Sequence, residues 1–290
     1  MITVSVPATS ANCSIGFDTL GLALDWRSTI TFDKSDTRLI TGCPEEYAGE
    51  DNLVWSSFDY ACQKSGVDTP PVHIHIDSDI PFARGLGSSS QCVVAGLAGA
   101  NLFASLGLDD ERLLELAIEI EGHPDNVAPA LLGGLNICVK NEDRIIRVRL
   151  ADNDWKALVV VPPYELSTAM ARKALPGTID HHDAAMQAGR AMLFEYAWMH
   201  KDENLLFDAC RDVLHEPYRA KLIEDYPAMK QLADEHHIPF WISGSGSTMA
   251  FVSQSEERLA ALKTCIEEKH PALDVRLARV SQKGVEAIYG

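Results

Sequence analysis

Positive charge is scarce in this 290-residue chain: 25 Lys and Arg stand against 42 Asp and Glu, a net charge of −17. That balance excludes an extended nucleic-acid surface, because neutralising a phosphate backbone needs clustered Lys and Arg. Any anion site must be local. Cysteine pairing is also missing. Seven cysteines stand singly at 13, 43, 62, 92, 138, 210 and 265, without a Cys-x-x-Cys pair, so neither a zinc knuckle nor a disulfide framework is indicated, and a reducing cytoplasm is expected. No apolar segment reaches the length of a membrane span, and Met1 to Pro7 lacks a basic region followed by a signal-like apolar run. A soluble, cytoplasmic protein with no membrane partner follows as an expectation. Low-complexity tracts and obvious repeats are absent, and the acidic excess is spread as on an ordinary solvated surface.

What is present suffices for a substantial core. The apolar content is 46%, and the length fits one large domain or, preferably, two moderate ones. Alternation at 2–6, halted by Pro7, and apolar residues at 30–32 and 39–40 predict a β-rich opening. Helical spacing predicts helices over 53–64 and 109–121, the second beginning at the acidic pair Asp109 and Asp110 and ending at Gly122. Strands are expected at 73–76, 135–139, 145–150 and 156–161. Pro162 and Pro163 follow, and the change of rhythm there divides the chain into 1–155 and 156–290. Beyond it, helices at 183–199, 205–213, 227–236 and 256–268 alternate with strands at 240–242, 249–252 and 274–280. Without a regular βαβ repetition, the fold class expected is α+β.

The segment Pro81-Phe-Ala-Arg-Gly-Leu-Gly-Ser-Ser-Ser-Gln91 lies between an expected strand and a long apolar helix starting near Ser88. Gly85 and Gly87 permit tight turning, serine hydroxyls and backbone amides donate hydrogen bonds, and the positive end of a helix dipole faces an anion. No Gly-Lys-Ser or Gly-Lys-Thr follows, and the Gly-x-Gly-x-x-Gly fingerprint is absent, so this is neither a P-loop nor a dinucleotide turn. Taken alone, the segment suits a phosphate loop or a tight turn capped by serine. Three further constellations stand along the chain. Pro7-Ala-Thr-Ser-Ala-Asn12 continues to Gly16-Phe-Asp-Thr-Leu-Gly-Leu-Ala-Leu-Asp25, and places Asn12 and Asp18 on a loop where they suit either ligand contact or turn chemistry. Glu121-Gly-His-Pro-Asp-Asn126 places His123 and Asp125 past a helix end, as caps or as reactive groups. Ser243-Gly-Ser-Gly-Ser-Thr248 suits a second backbone nest or a flexible hairpin.

In this order the four segments resemble the GHMP kinase superfamily, and within it most closely the branch that phosphorylates L-homoserine. The resemblance spans nearly the whole chain. It implies an N-terminal domain like ribosomal protein S5 domain 2, a ferredoxin-like C-terminal domain, and a site between them. It implies transfer of the ATP γ-phosphoryl group, with Mg2+, to the side-chain hydroxyl of L-homoserine. Carried onto this chain, it places Pro81, Arg84, Gly85, Leu86, Gly87, Ser88, Ser89, Ser90 and Gln91 around the ATP phosphates. Ser88 and a glutamate of the preceding-motif helix would meet the metal; Glu119 and Glu121 compete, and Glu119 is the choice. Arg172 and Arg219 would hold the substrate carboxylate, Asp18 and Asp125 the ammonium, and Asn12 and His123 the hydroxyl end, with Asp125 a base or a positioning group. The chain departs from the family's usual pattern at Cys13-Ser-Ile-Gly16, at Ser90-Gln91 and at Ser247. Kinases of the same superfamily acting on mevalonate, an isoprenoid alcohol or a sugar are the competing expectation, followed by a silent ATP-binding regulator. A homodimer is the default for a cytosolic enzyme.

Overall fold

The computed structural model describes residues 1–49, 51–142, 144–151 and 154–288. The first half runs β1 (Ile2–Ala11), β2 (Leu20–Lys34), β3 (Leu39–Thr41), α1 (Leu53–Lys64), β4 (Val72–Asp77), α2 (Ser88–Phe103), α3 (Asp110–Glu121), α4 (Val127–Leu132), β5 (Leu135–Asn141) and β6 (Arg144–Arg149). The second runs β7 (Lys156–Val161), α5 (Thr168–Lys173), α6 (His181–His200), α7 (Glu203–Ala209), α8 (Glu216–Arg219), α9 (Tyr226–His236), β8 (Phe240–Ile242), β9 (Met249–Ser253), α10 (Glu256–Lys269), β10 (Asp274–Arg279) and β11 (Glu286–Ile288).

Two sheets organise these elements, and the α+β expectation holds. In the first, β2 lies beside β1 along one edge, while its other edge is shared between β4, paired over Thr29–Lys34, and β5, paired over Leu20–Leu22. The second sheet has the order β10-β7-β9-β8, antiparallel throughout. With helices between β7 and β8 and between β9 and β10, it has the split βαββαβ topology of ferredoxin-like domains. It begins at Lys156, but β11, inside the expected 156–290 half, returns to pair with β1.

Three apolar clusters hold the layers together. Helices α1 to α4 cover the first sheet through Val54, Phe58, Val94, Leu97, Leu116 and Ile118, which meet Val4, Val6, Ile30, Phe32 and Ile74. Between the sheets, Leu22, Leu24 and Trp26 meet Ala157, Val159, Trp198, Trp241 and Val252. The outer face of the second sheet packs on α9 and α10 through Leu158, Val160, Phe251, Met229 and Leu262. Strict alternation along β7 divides its side chains between the two latter clusters, as a strand buried on both faces requires. Close approach of α1 and α2 rests on small residues: a methyl on Gly96 would lie 2.3 Å from the Val54 carbonyl oxygen.

The first strand does not stop at Pro7. It continues to Ala11, and the register shifts between Pro7 and Ala8; an irregularity of this kind is where a residue without an N–H is tolerated inside a sheet. The elements not anticipated are α4, α5, α8 and β11, each six residues or fewer, too short to show a period. No helix among the described residues is long and apolar enough to cross a membrane.

Candidate active site

A cavity of about 650 Å3 opens where the glycine-serine loop, the 12–19 loop, the 121–126 turn and residues of the second half converge. Its position follows from local geometry. Gly87 adopts φ 67° and precedes α2 as its cap, with no side chain capping the first turn. The amides at the start of this 16-residue helix are therefore left to a ligand, and Ser88, Ser89 and Ser90 all line the cavity. A serine-capped turn is not what forms. Gly85 and Gly87 also line it.

The 12–19 loop is unusual in its backbone: Asn12, Cys13, Ser14 and Asp18 all have positive φ, between 42° and 68°. Such conformations persist for non-glycine residues only where the surroundings impose them. Here Asn12 accepts from the Asp18 amide at 3.0 Å and donates from Nδ2 to the Gly244 carbonyl at 2.8 Å. Asp18 receives both terminal nitrogens of Arg172 at 2.9 Å, and this contact raises the arginine's pKa. Arg219 is only 2% exposed, and burial lowers its pKa. Its Nη1 donates to Gly244 O at 2.8 Å, while its Nε has no partner among the described residues. Phe17 lies under both guanidinium groups, 5.6 Å from Arg172 and 5.2 Å from Arg219.

Across the 121–126 turn, His123 Nδ1 and Asp125 Oδ1 are 2.6 Å apart, and this hydrogen bond raises the histidine's pKa. The turn is pinned to the first sheet. Gly21 of β2 has no side chain where the Asp125 carbonyl approaches, and Asn126 Oδ1 accepts from Thr9 at 2.7 Å. Asn12, Asp18, His123, Asp125, Arg172 and Arg219 thus line one cavity with Gly85, Gly87, Ser88, Ser89 and Ser90.

Five expected residues are not in its lining. Leu86 is buried in the core between the sheets, and Gln91 is buried with its Oε1 3.4 Å from Ser28 Oγ. Pro81 is outside the lining, and Arg84 turns to Glu165 at 3.3 Å and to the Pro163 carbonyl at 3.0 Å. The choice of Glu119 is corrected: its carboxylate pairs with Lys64 at 2.8 Å and Tyr60 at 2.6 Å, contacts that lower its pKa, and it does not reach the cavity. Glu121 does, and its Oε1 accepts from Ser89 Oγ at 2.5 Å. No group of three His, Cys, Asp or Glu side chains placed to hold a metal occurs among the described residues. One carboxylate beside serine hydroxyls is nevertheless the hard-oxygen set that suits Mg2+, which takes its remaining ligands from phosphate and water. The sequence reading missed an apolar wall containing Cys43, Leu53, Ile76, Phe82 and Cys92, with the Tyr47 ring tilted against Phe82 at a centroid distance of 5.3 Å. Burial pushes the Cys92 thiol up to about 12.

An uncapped helix start facing a carboxylate, in a cleft between a mixed sheet and a ferredoxin-like unit, defines a small-molecule kinase of the GHMP class, and residues 52–134 match the GHMP kinases N terminal domain. The fold is shared with Streptococcus pneumoniae phosphomevalonate kinase, at a TM-score of 0.73 and 14% identity, covering 97% of this chain and all of that one. Much nearer is a homoserine kinase from Clostridium beijerinckii, 40% identical over 268 residues, which cover 90% of this chain and 89% of that protein. The crystal structure of homoserine kinase from Cytophaga hutchinsonii superposes with a TM-score of 0.89 at 30% identity, covering 99% and 97% of the two chains. The chain belongs to the homoserine kinase family.

Proposed function

We propose that this cavity transfers the γ-phosphoryl group of ATP to the side-chain hydroxyl of L-homoserine, giving O-phospho-L-homoserine on the route to threonine. The observation that carries the reading is the paired charge at the acceptor end. Asp18 with Arg172, and the buried Arg219 beside them, present acidic and guanidinium groups together, which is what a zwitterion needs and what mevalonate or a sugar would leave unmatched. An incoming amino acid replaces the Asp18–Arg172 pair with its own two charges: carboxylate to Arg172 and Arg219, ammonium to Asp18. The open amides of α2 and the hydroxyls of Ser88 and Ser89 receive phosphate oxygens, and the Tyr47 and Phe82 rings offer a face to the base. Glu121 and Ser88 would hold Mg2+, which when bound neutralises charge on the transferring phosphoryl group. Asp125 and His123 orient the acceptor hydroxyl, and Asp125 takes its proton or fixes its position. The loose transition state of phosphoryl transfer makes alignment matter more than strong deprotonation. We read the enzyme as cytoplasmic and homodimeric.

ADP release with ATP and Mg2+ should depend on homoserine and fall sharply when serine, threonine, mevalonate or galactose replaces it. No homoserine-dependent turnover would overturn the reading. Within it, Glu121→Gln should raise the Mg2+ concentration needed for half-maximal rate by about tenfold, whereas Glu119→Gln should leave it unchanged. Equal responses in a Mg2+ titration would remove Glu121 from the metal site.

A further inference from the structure

We infer that His215 is a positioning residue of the acceptor site, locking the Arg219 guanidinium to the left-handed 12–18 loop through its two ring nitrogens. The inference rests on the proposed role of Arg219 toward the substrate carboxylate.

His215 is fully buried and lies one helical turn before Arg219. Its Nε2 is 2.6 Å from the Ser14 carbonyl oxygen. A carbonyl only accepts, so Nε2 carries the proton and Nδ1 presents its lone pair. That lone pair faces Arg219 Nη1 at 3.4 Å. The same Nη1 donates to Gly244 O, which also accepts from Asn12 Nδ2 at 2.8 Å. The contacts close a circuit: Ser14 to His215, to Arg219, to Gly244, to Asn12, and back along the loop. Two strained loop residues from the first half are thereby tied to a guanidinium from the second.

The ring has a further duty. It stacks on Phe17 at 5.3 Å, and Phe17 in turn lies under both guanidinium groups. His215 thus supports the arginines from below as well as from the side. Its backbone is fixed independently, since Asp212 Oδ2 accepts from the amides of His215 and Glu216 at 2.7 Å each. Asp212 Oδ1 accepts from Gln187, which also donates to the Ile15 carbonyl. Burial lowers the imidazole's pKa, the direction the circuit needs, because a second proton on Nδ1 would point at a cation.

The test uses substitutions that keep one nitrogen at a time. His215→Asn retains an acceptor near Nδ1, His215→Gln a donor near Nε2, and His215→Phe only the stacking. Loss of an acceptor for a buried cation should raise KM for homoserine about tenfold in the Gln variant. The Phe variant should rise further and the Asn variant least, while KM for ATP stays within about twofold of the parent in all three. A parallel rise in both KM values, or a loss of thermal stability with KM for homoserine unchanged, would overturn the inference. Nitrogen NMR of the unmodified protein at neutral pH gives a check independent of how the variants fold: it should show His215 as the Nε2–H tautomer, and an Nδ1–H or doubly protonated ring would refute it. Homoserine turnover by the parent enzyme tests the proposed function separately, so failure of that reading is told apart from failure of the role given to His215.

Discussion

Gly85→Ala should destabilise the protein by roughly 3–5 kcal/mol and abolish most activity, more than any other single methyl added to the phosphate loop. The residue has φ 79°, and a Cβ there would lie 2.2 Å from the Ser243 carbonyl oxygen and 2.8 Å from that of Gly246. All the obstructing atoms are backbone, so no side chain can swing aside. They belong to the Ser243–Thr248 turn, which is fastened to the loop by Ser243 Oγ donating to Gly85 O at 2.6 Å and the Thr248 amide donating to Arg84 O at 2.9 Å. Gly87→Ala meets the Thr9 hydroxyl at 1.9 Å instead. A threonine can rotate, at the expense of its bond to Asn126, so Thr9→Ala should partly rescue it. Gly66→Ala is the control: φ is 69° and nothing lies within 4 Å, leaving only a left-handed penalty of about 1 kcal/mol. Urea unfolding of the four variants gives the order directly. If Gly85→Ala is no worse than Gly66→Ala, the contact between loop and turn is not rigid.

That contact changes what the glycines mean. From the sequence, Gly85 and Gly87 suggest close approach to a phosphate, and the Ser243 run a second nest for a ligand. In the folded chain the two motifs pack on each other. The uncapped helix start and its serines face the cavity together with Gly85, Gly87, Gly244 and Ser245, so the glycines serve the packing of loop on turn as well as the lining. The strand and helix positions around them were legible because Asp109 and Gly122 bound α3 as sequence signals do, and because β7 after Lys156 and all of β8 are apolar runs.

Glu119 and Glu121 were harder to separate, two residues apart on one helix end. A signal existed: Arg112, Glu115 and Glu119 recur at the spacing of one outward stripe, and Arg112 lies 2.7 Å from Glu115 and 3.9 Å from Glu119. Glu121 falls off that stripe and turns inward. Arg172 and Arg219 were recognisable only through the family resemblance, since neither residue's surroundings in sequence distinguish it from a solvated helix arginine. The network of Gln187, Asp212, His215 and Glu216 gave no sequence signal at all. Long-range contacts to residues 14 and 15 are what bury its members.

The same network gives a large pH effect below pH 8. Glu216 is 5% exposed; its Oε1 accepts from the Ile242 amide at 2.8 Å, and its Oε2 lies 3.5 Å from Ser14 Oγ. Burial first, and then the neighbouring Asp212 carboxylate, push its pKa from 4.5 up to about 8. Between those two values the unfolded chain has released this proton and the folded one has not. Protons bound are therefore fewer in the unfolded state, and stability must fall as pH rises through the window, by about 1.4 kcal/mol per unit. Over the whole interval the loss is about 5 kcal/mol. Glu216→Gln keeps an acceptor for Ile242 and carries no charge at any pH. The variant and parent should have nearly equal stability near pH 4.5 and diverge as pH rises, with the variant ahead by several kcal/mol near pH 8. Urea unfolding of both proteins across this range measures the gap. Parallel curves would mean that Glu216 is already ionised at the lower pH, and that Lys230 or the Ile242 amide stabilises its charge well enough to offset burial beside Asp212.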